Sequence, residues 1–227
     1  MIVQGITLTG TRVVDGSIIT QNLAIWLDAN DPASYPGTGT TVNDLSGNGY
    51  TNTLTGATYT VLSGVKCFDC TTGNDRVVVN GTGPTLPTSG YTYITWAKLQ
   101  PSASFRTLLY TNSPKYTPIT IPNGTNTLGY WDSAFRSSGY DLASSVDVWV
   151  QYAVVGDNSS QTFYINGSQA GNPIAYGAGG TTHWGWGGND TAGQPWGYVA
   201  NMFLYTSKLT LEQIQQNYYG LKERFGV

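Results

Sequence analysis

The sequence predicts an all-β fold: a two-sheet antiparallel jelly-roll sandwich closed by one short C-terminal helix. Three observations predict it. Hydrophobic residues make up 40% of the 227 and aromatics 13%, with 29 glycines and with Thr, Asn and Ser in place of Lys and Glu. β-Branched and aromatic side chains fit a pleated surface, while Gly and Asn fit its turns. Apolar residues recur in short runs bounded by Gly, Pro and Asn, and a helical period appears once, at the end. A chain of this length buries roughly 70% of its unfolded surface, enough for a core without staples.

Taken in order, residues 1–20 precede the first core strand, and Ile6, Leu8 and Thr9 alternate as a strand would. This segment is read either as the first strand of the sandwich or as an arm on a neighbouring subunit. Residues 21–227 form the sandwich domain. Its clearest strands are Leu23–Leu27, Val65–Asp69, Arg76–Asn80, Tyr91–Leu99, Arg106–Thr111, Val148–Gly156, Thr162–Ile165 and Tyr198–Thr206. Asp157-Asn158-Ser159-Ser160 joins two of them, and Asn166-Gly167 suits a type I′ turn. Thr210 and Gln213 have capping-box spacing, Leu211, Ile214, Tyr218 and Leu221 recur at helical spacing, and Gly226 stops the run.

Charged residues are 10% and the net charge is −3. That excludes the basic footprint of a nucleic-acid binder. No run approaches the length of a membrane span. Residues 1–20 lack a basic region followed by an apolar run, so the expectation is a product that keeps its N-terminus. The N-x-S/T triplets at Asn80, Asn123, Asn158, Asn166 and Asn189 are then Asn-rich turns. Cys67 and Cys70 form a lone C-x-x-C in a strand pattern, where the side chains project to opposite faces. They are read as inert thiols. The single histidine, His183, has no nucleophile motif near it and is read as a structural hydrogen-bonder.

The order of these motifs carries a resemblance. LAIWLDANDPASY, DLSGNG, GVKCFDCTTGNDRVVV, YTYITWAKL, DVWVQYAVVGDNSSQTFYINGS and GYVANMFLYTSKLTLEQIQQNYYGLKERFG follow one another over residues 21–227. In this order they resemble the laminin-G-like branch of the concanavalin A-like lectin/glucanase superfamily. Cys70 departs from the pattern, which usually has Gly there. The combination of LDANDP, DLSGN and NYYGLKERFG is similar to versions found in structural proteins of tailed bacteriophages. The resemblance implies a non-enzymatic virion protein, made in the host cytoplasm and carried on the capsid surface as a decoration protein. Its partners would be capsid or other virion proteins and further copies of itself. The alternative is a lectin-like module, or a tail or fibre adhesin, that binds cell-surface glycans.

Relatives that cleave glycans use paired carboxylates on one strand. Here the only two glutamates, Glu212 and Glu223, lie in the terminal helical segment, so no enzyme is expected. The candidate ligand site is the aromatic cluster Trp184, Trp186 and Trp196, with Trp184 and Trp186 read on one strand face. Asn189, Asp190 and Gln194 lie in the Gly-rich loop between. Sugars stack on aromatic rings while amides and carboxylates take their hydroxyls. The competing reading places these rings between the sheets, where Trp26, Trp96 and Trp149 are also expected. Laminin-G-like domains often hold calcium. Asp44, Asn74-Asp75 and Asp190 are the loop groups available for it, and turn-forming Asx residues explain them equally well.

Overall fold

The computed structural model describes residues 18–112, 116–189 and 193–227. Its strands are β1 (Leu23–Asp28), β2 (Thr41–Asn43), β3 (Thr51–Thr55), β4 (Thr58–Leu62), β5 (Val65–Cys70), β6 (Arg76–Val79), β7 (Tyr91–Leu99) and β8 (Arg106–Asn112). There follow β9 (Thr117–Ile121), β10 (Thr127–Trp131), β11 (Phe135–Asp141), β12 (Trp149–Gly156), β13 (Gln161–Ile165), β14 (Ser168–Gln169), β15 (Thr182–Trp186) and β16 (Gly197–Tyr205). Helix α1 (Leu211–Leu221) and a 3-10 turn over Lys222–Phe225 close the chain.

The strands make two antiparallel sheets of eight. The first runs β14-β13-β12-β7-β16-β5-β4, with β1 beside the second half of β16; the second runs β11-β10-β9-β8-β15-β6-β3-β2. The expected sandwich is therefore present. The turn at Asp157 does join β12 to β13, pairing Gly156 with Gln161. Asn166 and Gly167 both take positive φ, 49° and 74°, and turn β13 into β14, as a type I′ turn requires.

The conserved geometry of period two explains where the core lies. In β7, Tyr91, Tyr93, Ala97 and Leu99 face the inter-sheet core, while Ile94 and Trp96 face the other way. That outer face of the first sheet is covered by α1 and the 3-10 turn. Thr210 and Gln213 make the capping box in both directions. Ile214 is fully buried against Ile94, Phe203 and Tyr205. Leu211, expected on the same apolar stripe, is instead exposed.

Trp96 is stacked between Tyr218 and Phe225, with ring centroids 5.6 and 4.2 Å away. Trp149 packs beside it, and Trp26 stacks on Phe203. These three tryptophans therefore lie under the helix and not between the sheets, a correction to the sequence reading. Period two sets the face, and the terminal helix supplies the cover.

Cys67 and Cys70 fall on opposite faces of β5. Cys67 packs with Trp96 and Phe225, and Cys70 packs in the inter-sheet core. Both are free and buried, and burial pushes the Cys67 thiol up to about 12. Residues 1–17 of the N-terminal segment lie outside the described residues. Ile18 and Ile19 pack against the cluster beneath α1. The Ile19 N–H donates to Asn217 Oδ1, and its carbonyl accepts from Tyr205 Oη.

The DLSGNG and LDANDP loops have structural roles. In DLSGNG, Asp44 Oδ1 accepts from the Trp26 N–H, and Asn48 Nδ2 donates to Leu23 O and Ala24 O. Side chains thus satisfy the free edge of β1, where another strand would otherwise pair. In LDANDP, Asp28 is 2% exposed, and its Oδ2 lies 2.6 Å from Arg224 Nη1 of the terminal KERFG. One ion pair ties the two ends of the domain together.

Candidate functional site

The tryptophans of the predicted site separate in space. In β15 the pairing with β8 slips between His183 and Gly185. The slip sends Trp184 and Gly185 to the outer face together and turns Trp186 inward. Trp184 packs on Tyr110, at 5.4 Å between ring centroids. A Cβ on Gly185 would meet that same tyrosine ring at 2.8 Å, so only glycine fits the bulge. Trp186 is fully buried against His183, 4.0 Å between centroids. Trp196 is fully buried edge-on to Tyr152. Neither ring can stack on a sugar, and Trp184 and Trp186 do not share a face. The buried rings follow the competing reading, between the sheets, while the shared strand face of Trp184 and Trp186 is corrected. Asp190 lies outside the described residues.

His183 is part of this core. Its Nδ1 is 2.8 Å from Tyr93 Oη, and desolvation lowers its pKa to about 3. The ring is neutral at physiological pH and 1% exposed.

Asn189 and Gln194, the polar part of the prediction, line a groove. They form one wall of a groove of about 300 Å³ on the outer face of the second sheet, lined also by Phe105, Thr117, Thr120, Trp131 and Asp132. The floor carries Thr117 and Thr120, with Thr107 buried beneath. Thr107 Oγ1 donates to Gln194 Oε1 at 2.6 Å, and Thr120 Oγ1 donates to Arg106 O. Asn189 Nδ2 reaches Gln194 Oε1 at 3.5 Å, so the two amides of the loop face each other at the rim. The opposite wall is aromatic. Trp131 is 36% exposed and meets Phe105 edge-to-face at 5.6 Å.

A second register slip builds this wall. Gly129 pairs with Thr120 and Trp131 with Thr117, so β9 uses three steps where β10 uses two. The slip places Thr117, beside Pro118, in the groove. Thr117 is 6% exposed, and its hydroxyl has no hydrogen-bond partner. Gly129 must lack a side chain, since a Cβ there would lie 2.5 Å from the Phe135 ring.

Of the loop groups considered for calcium, Asp44, Asn74 and Asp75 are engaged in hydrogen bonds of their turns and loops. Asp44 Oδ1 accepts from two backbone N–H groups and Oδ2 from Ser46 Oγ. Asp75 Oδ2 accepts from Thr72 N–H and Oγ1, and Asn74 Oδ1 accepts from the Gly193 N–H. Among the described residues no three His, Cys, Asp or Glu side chains cluster as metal ligands.

Two packed antiparallel sheets with an aromatic and amide groove on one outer face define a laminin-G-like β-sandwich domain. A laminin G family profile, described as the concanavalin A-like lectin/glucanases superfamily, matches residues 71–215. The chain belongs to the concanavalin A-like lectin/glucanase superfamily. No curated protein matches it in sequence.

Among solved structures it is similar to Trypanosoma rangeli sialidase, with a TM-score of 0.66 at 12% identity, covering 92% of this chain and 34% of that one. The same sialidase in complex with sialic acid matches at 0.64 and 13%, with coverage of 92% and 34%. The binding domain of botulinum neurotoxin serotype D matches at 0.64 and 14%, with coverage of 89% and 52%. The chain thus spans a minor part of the sialidase and about half of the toxin domain. At these identities the likeness is one of fold.

Proposed function

We propose that this domain binds carbohydrate without cleaving it, through the groove between Trp131 and the Asn189–Gln194 loop. The observation that carries the reading is the Trp131 ring, 36% exposed and braced by Phe105, facing the Asn189 and Gln194 amides across the groove. The volume, about 300 Å³, sits at the low end of small-molecule sites. An apolar ring for the C–H face of a sugar and neutral donors and acceptors for its hydroxyls are the chemistry such a ligand needs. Binding without hydrolysis is supported by the carboxylates. The two glutamates, Glu212 and Glu223, lie in α1 and the 3-10 turn and not on a strand, where glucanases of this fold present their pair. Glycan binding by relatives in the superfamily is consistent with this use of the fold but does not decide it.

The test is a glycan array followed by calorimetry on the best ligand. Trp131→Ala is expected to weaken binding about tenfold or more while leaving the thermal transition nearly unchanged. Undiminished binding would remove the site.

A second reading concerns where the domain works. LDANDP, DLSGN and NYYGLKERFG are similar to segments of tailed-phage structural proteins. On that resemblance we propose display on a virion surface, as a capsid decoration protein in contact with capsid proteins and further copies of itself, or on the tail as an adhesin. Electron microscopy of intact particles with a specific antibody tests this. A regular lattice of label over the head supports decoration, label at the tail tip supports the adhesin, and unlabelled particles defeat both.

A further inference from the structure

We infer that β4 is a self-association edge, along which a second copy of this chain pairs antiparallel about a twofold axis through Thr60. The inference goes beyond the glycan-binding reading and does not rest on it. It starts from where the two sheets end. An unpaired edge strand offers a row of free N–H and C=O groups, and proteins block such rows with charges, short strands or covering loops.

Among the described residues, the other four edges are blocked in this way. Along β1, the Asp44 and Asn48 side chains take up backbone groups. β14 is two residues long. β2 is three residues long, and its Asn43 N–H donates to Ser34 O. β11 carries Arg136 and Asp141, takes a positive φ at Gly139, and has Ser138 O bonded to the Asn172 N–H.

β4 differs from all of them. Its five residues, Thr58–Leu62, read TYTVL, with no charge, glycine or proline. It pairs on one side alone, with β5. Val61 is 53% exposed, the most exposed large hydrophobic residue among those described. The register states which backbone groups are free. Ser63 and Gly64 both take positive φ, 50° and 85°, in a two-residue turn closed by the pair Leu62 and Val65. Hydrogen-bonded pairs alternate along an antiparallel ladder, so Leu62, Thr60 and Thr58 exchange hydrogen bonds with β5. The N–H and C=O groups of Tyr59 and Val61 point the other way. Among the described residues no turn or loop backbone group bonds to these four.

A twofold axis through Thr60 sets Tyr59 opposite Val61 of the second copy, and Val61 opposite its Tyr59. Each is then a hydrogen-bonded pair, and four N–H···O bonds form. This spacing is what fits β4 to itself. On the face shared by residues 59 and 61, the exposed Val61 meets the other copy's tyrosine, a favourable aromatic and β-branched pair. That ring is already braced by Tyr35, 5.3 Å away between centroids. With no charged side chain in β4, nothing in the strand repels its copy. The first sheets of the two copies become one continuous sheet.

The test is sedimentation equilibrium of the full chain over a range of concentrations, with backbone amide exchange followed by nuclear magnetic resonance. A monomer–dimer equilibrium is expected. The Tyr59 and Val61 N–H groups should exchange slowly in the concentrated dimer and freely on dilution, while Thr60 and Leu62 stay protected in both. Val61→Pro removes one outward N–H from each copy, and an edge strand tolerates it because that N–H faces solvent in the monomer. It should weaken dimerisation about tenfold or more, the size of two lost hydrogen bonds. Should Val61→Pro fail to fold, Val61→Lys puts a cation at the exposed position and should weaken the dimer likewise. A chain that stays monomeric at every concentration would overturn the inference. So would association that the folded variant leaves unweakened, which would place the contact on another face. Tyr59 and Val61 amides protected in the dilute monomer would also overturn it, since the chain's own residues would then pair there.

Discussion

The outer faces of the two sheets start from the same material and end differently. Each presents a tryptophan on a strand: Trp96 in β7 of the first sheet and Trp131 in β10 of the second. Over Trp96 the chain lays α1 and the 3-10 turn, so the ring is stacked between Tyr218 and Phe225 with no exposure. Over Trp131 no described element lies, and the ring keeps 36% of its surface free beside a groove. The residue type is the same, and the covering element decides whether its ring is sealed into the core or left open beside a groove.

The largest effect that would break this comparison is on Trp96. Trp96→Ala is expected to cost about 3–5 kcal/mol in denaturant unfolding, with Trp131→Ala below about 1 kcal/mol. Similar losses for both would mean that the second face is closed as well. Trp186→Ala belongs with Trp96, because its ring is fully buried between the sheets.

Next in size is a pH effect at His183. Its folded pKa lies near 3, below the ordinary 6.5, so the unfolded chain binds the extra proton in acid. Stability from this residue is full above pH 6.5 and falls as pH drops toward 3, by a few kcal/mol at most. Asp157 is slightly buried, which raises its pKa, but Lys208 and the Ser159 and Ser160 donors hold it below 3.8. Its contribution is therefore lost only below that value. Urea titrations between pH 4 and 6.5 isolate the histidine, and His183→Gln should flatten the slope there. An unchanged slope would place the proton elsewhere.

Smaller effects sharpen the account of the covered face. Arg224→Ala leaves the buried Asp28 carboxylate without its cation and is expected to cost about 2 kcal/mol; Arg224 is partly exposed, which moderates the loss. Thr210→Ala removes the cap of α1 and should cost about 1 kcal/mol. Neither should alter glycan affinity, since both lie on the covered face. A loss of affinity in either would couple the two faces.

The strands with strong period-two patterns were legible in the sequence. Tyr91–Leu99 occurs with the expected bounds, and those of the strands at 65–70, 149–156, 161–165 and 197–205 shift by one residue. The capping box of α1 was legible too, because its two side chains act locally. Strands β2, β3 and β4 read TVN, TNTLT and TYTVL, too polar and too short to signal burial. β9 carries Pro118, which argues against an interior strand. It is tolerated where the register slips between Thr117 and Thr120.

The site was half legible. The Asn189 and Gln194 amides were recognised in a Gly-rich loop, and they do line the groove. The aromatic partner was not. One extra residue in β15 reversed Trp186, and one in β9 brought Thr117 beside Trp131. A bulge depends on which strand pairs with which, and that is a long-range property with no local signature in the chain.

The central claim is that recognition happens at Trp131 and not at the buried tryptophans. The most direct measurement is a two-dimensional nitrogen–proton titration of the seven indole N–H signals and the side-chain amides with the array's best oligosaccharide. The account expects saturable shifts at Trp131, Asn189 and Gln194, with Trp96, Trp186 and Trp196 unmoved. Shifts centred on the α1 face, or no shift at any ligand concentration, would contradict it.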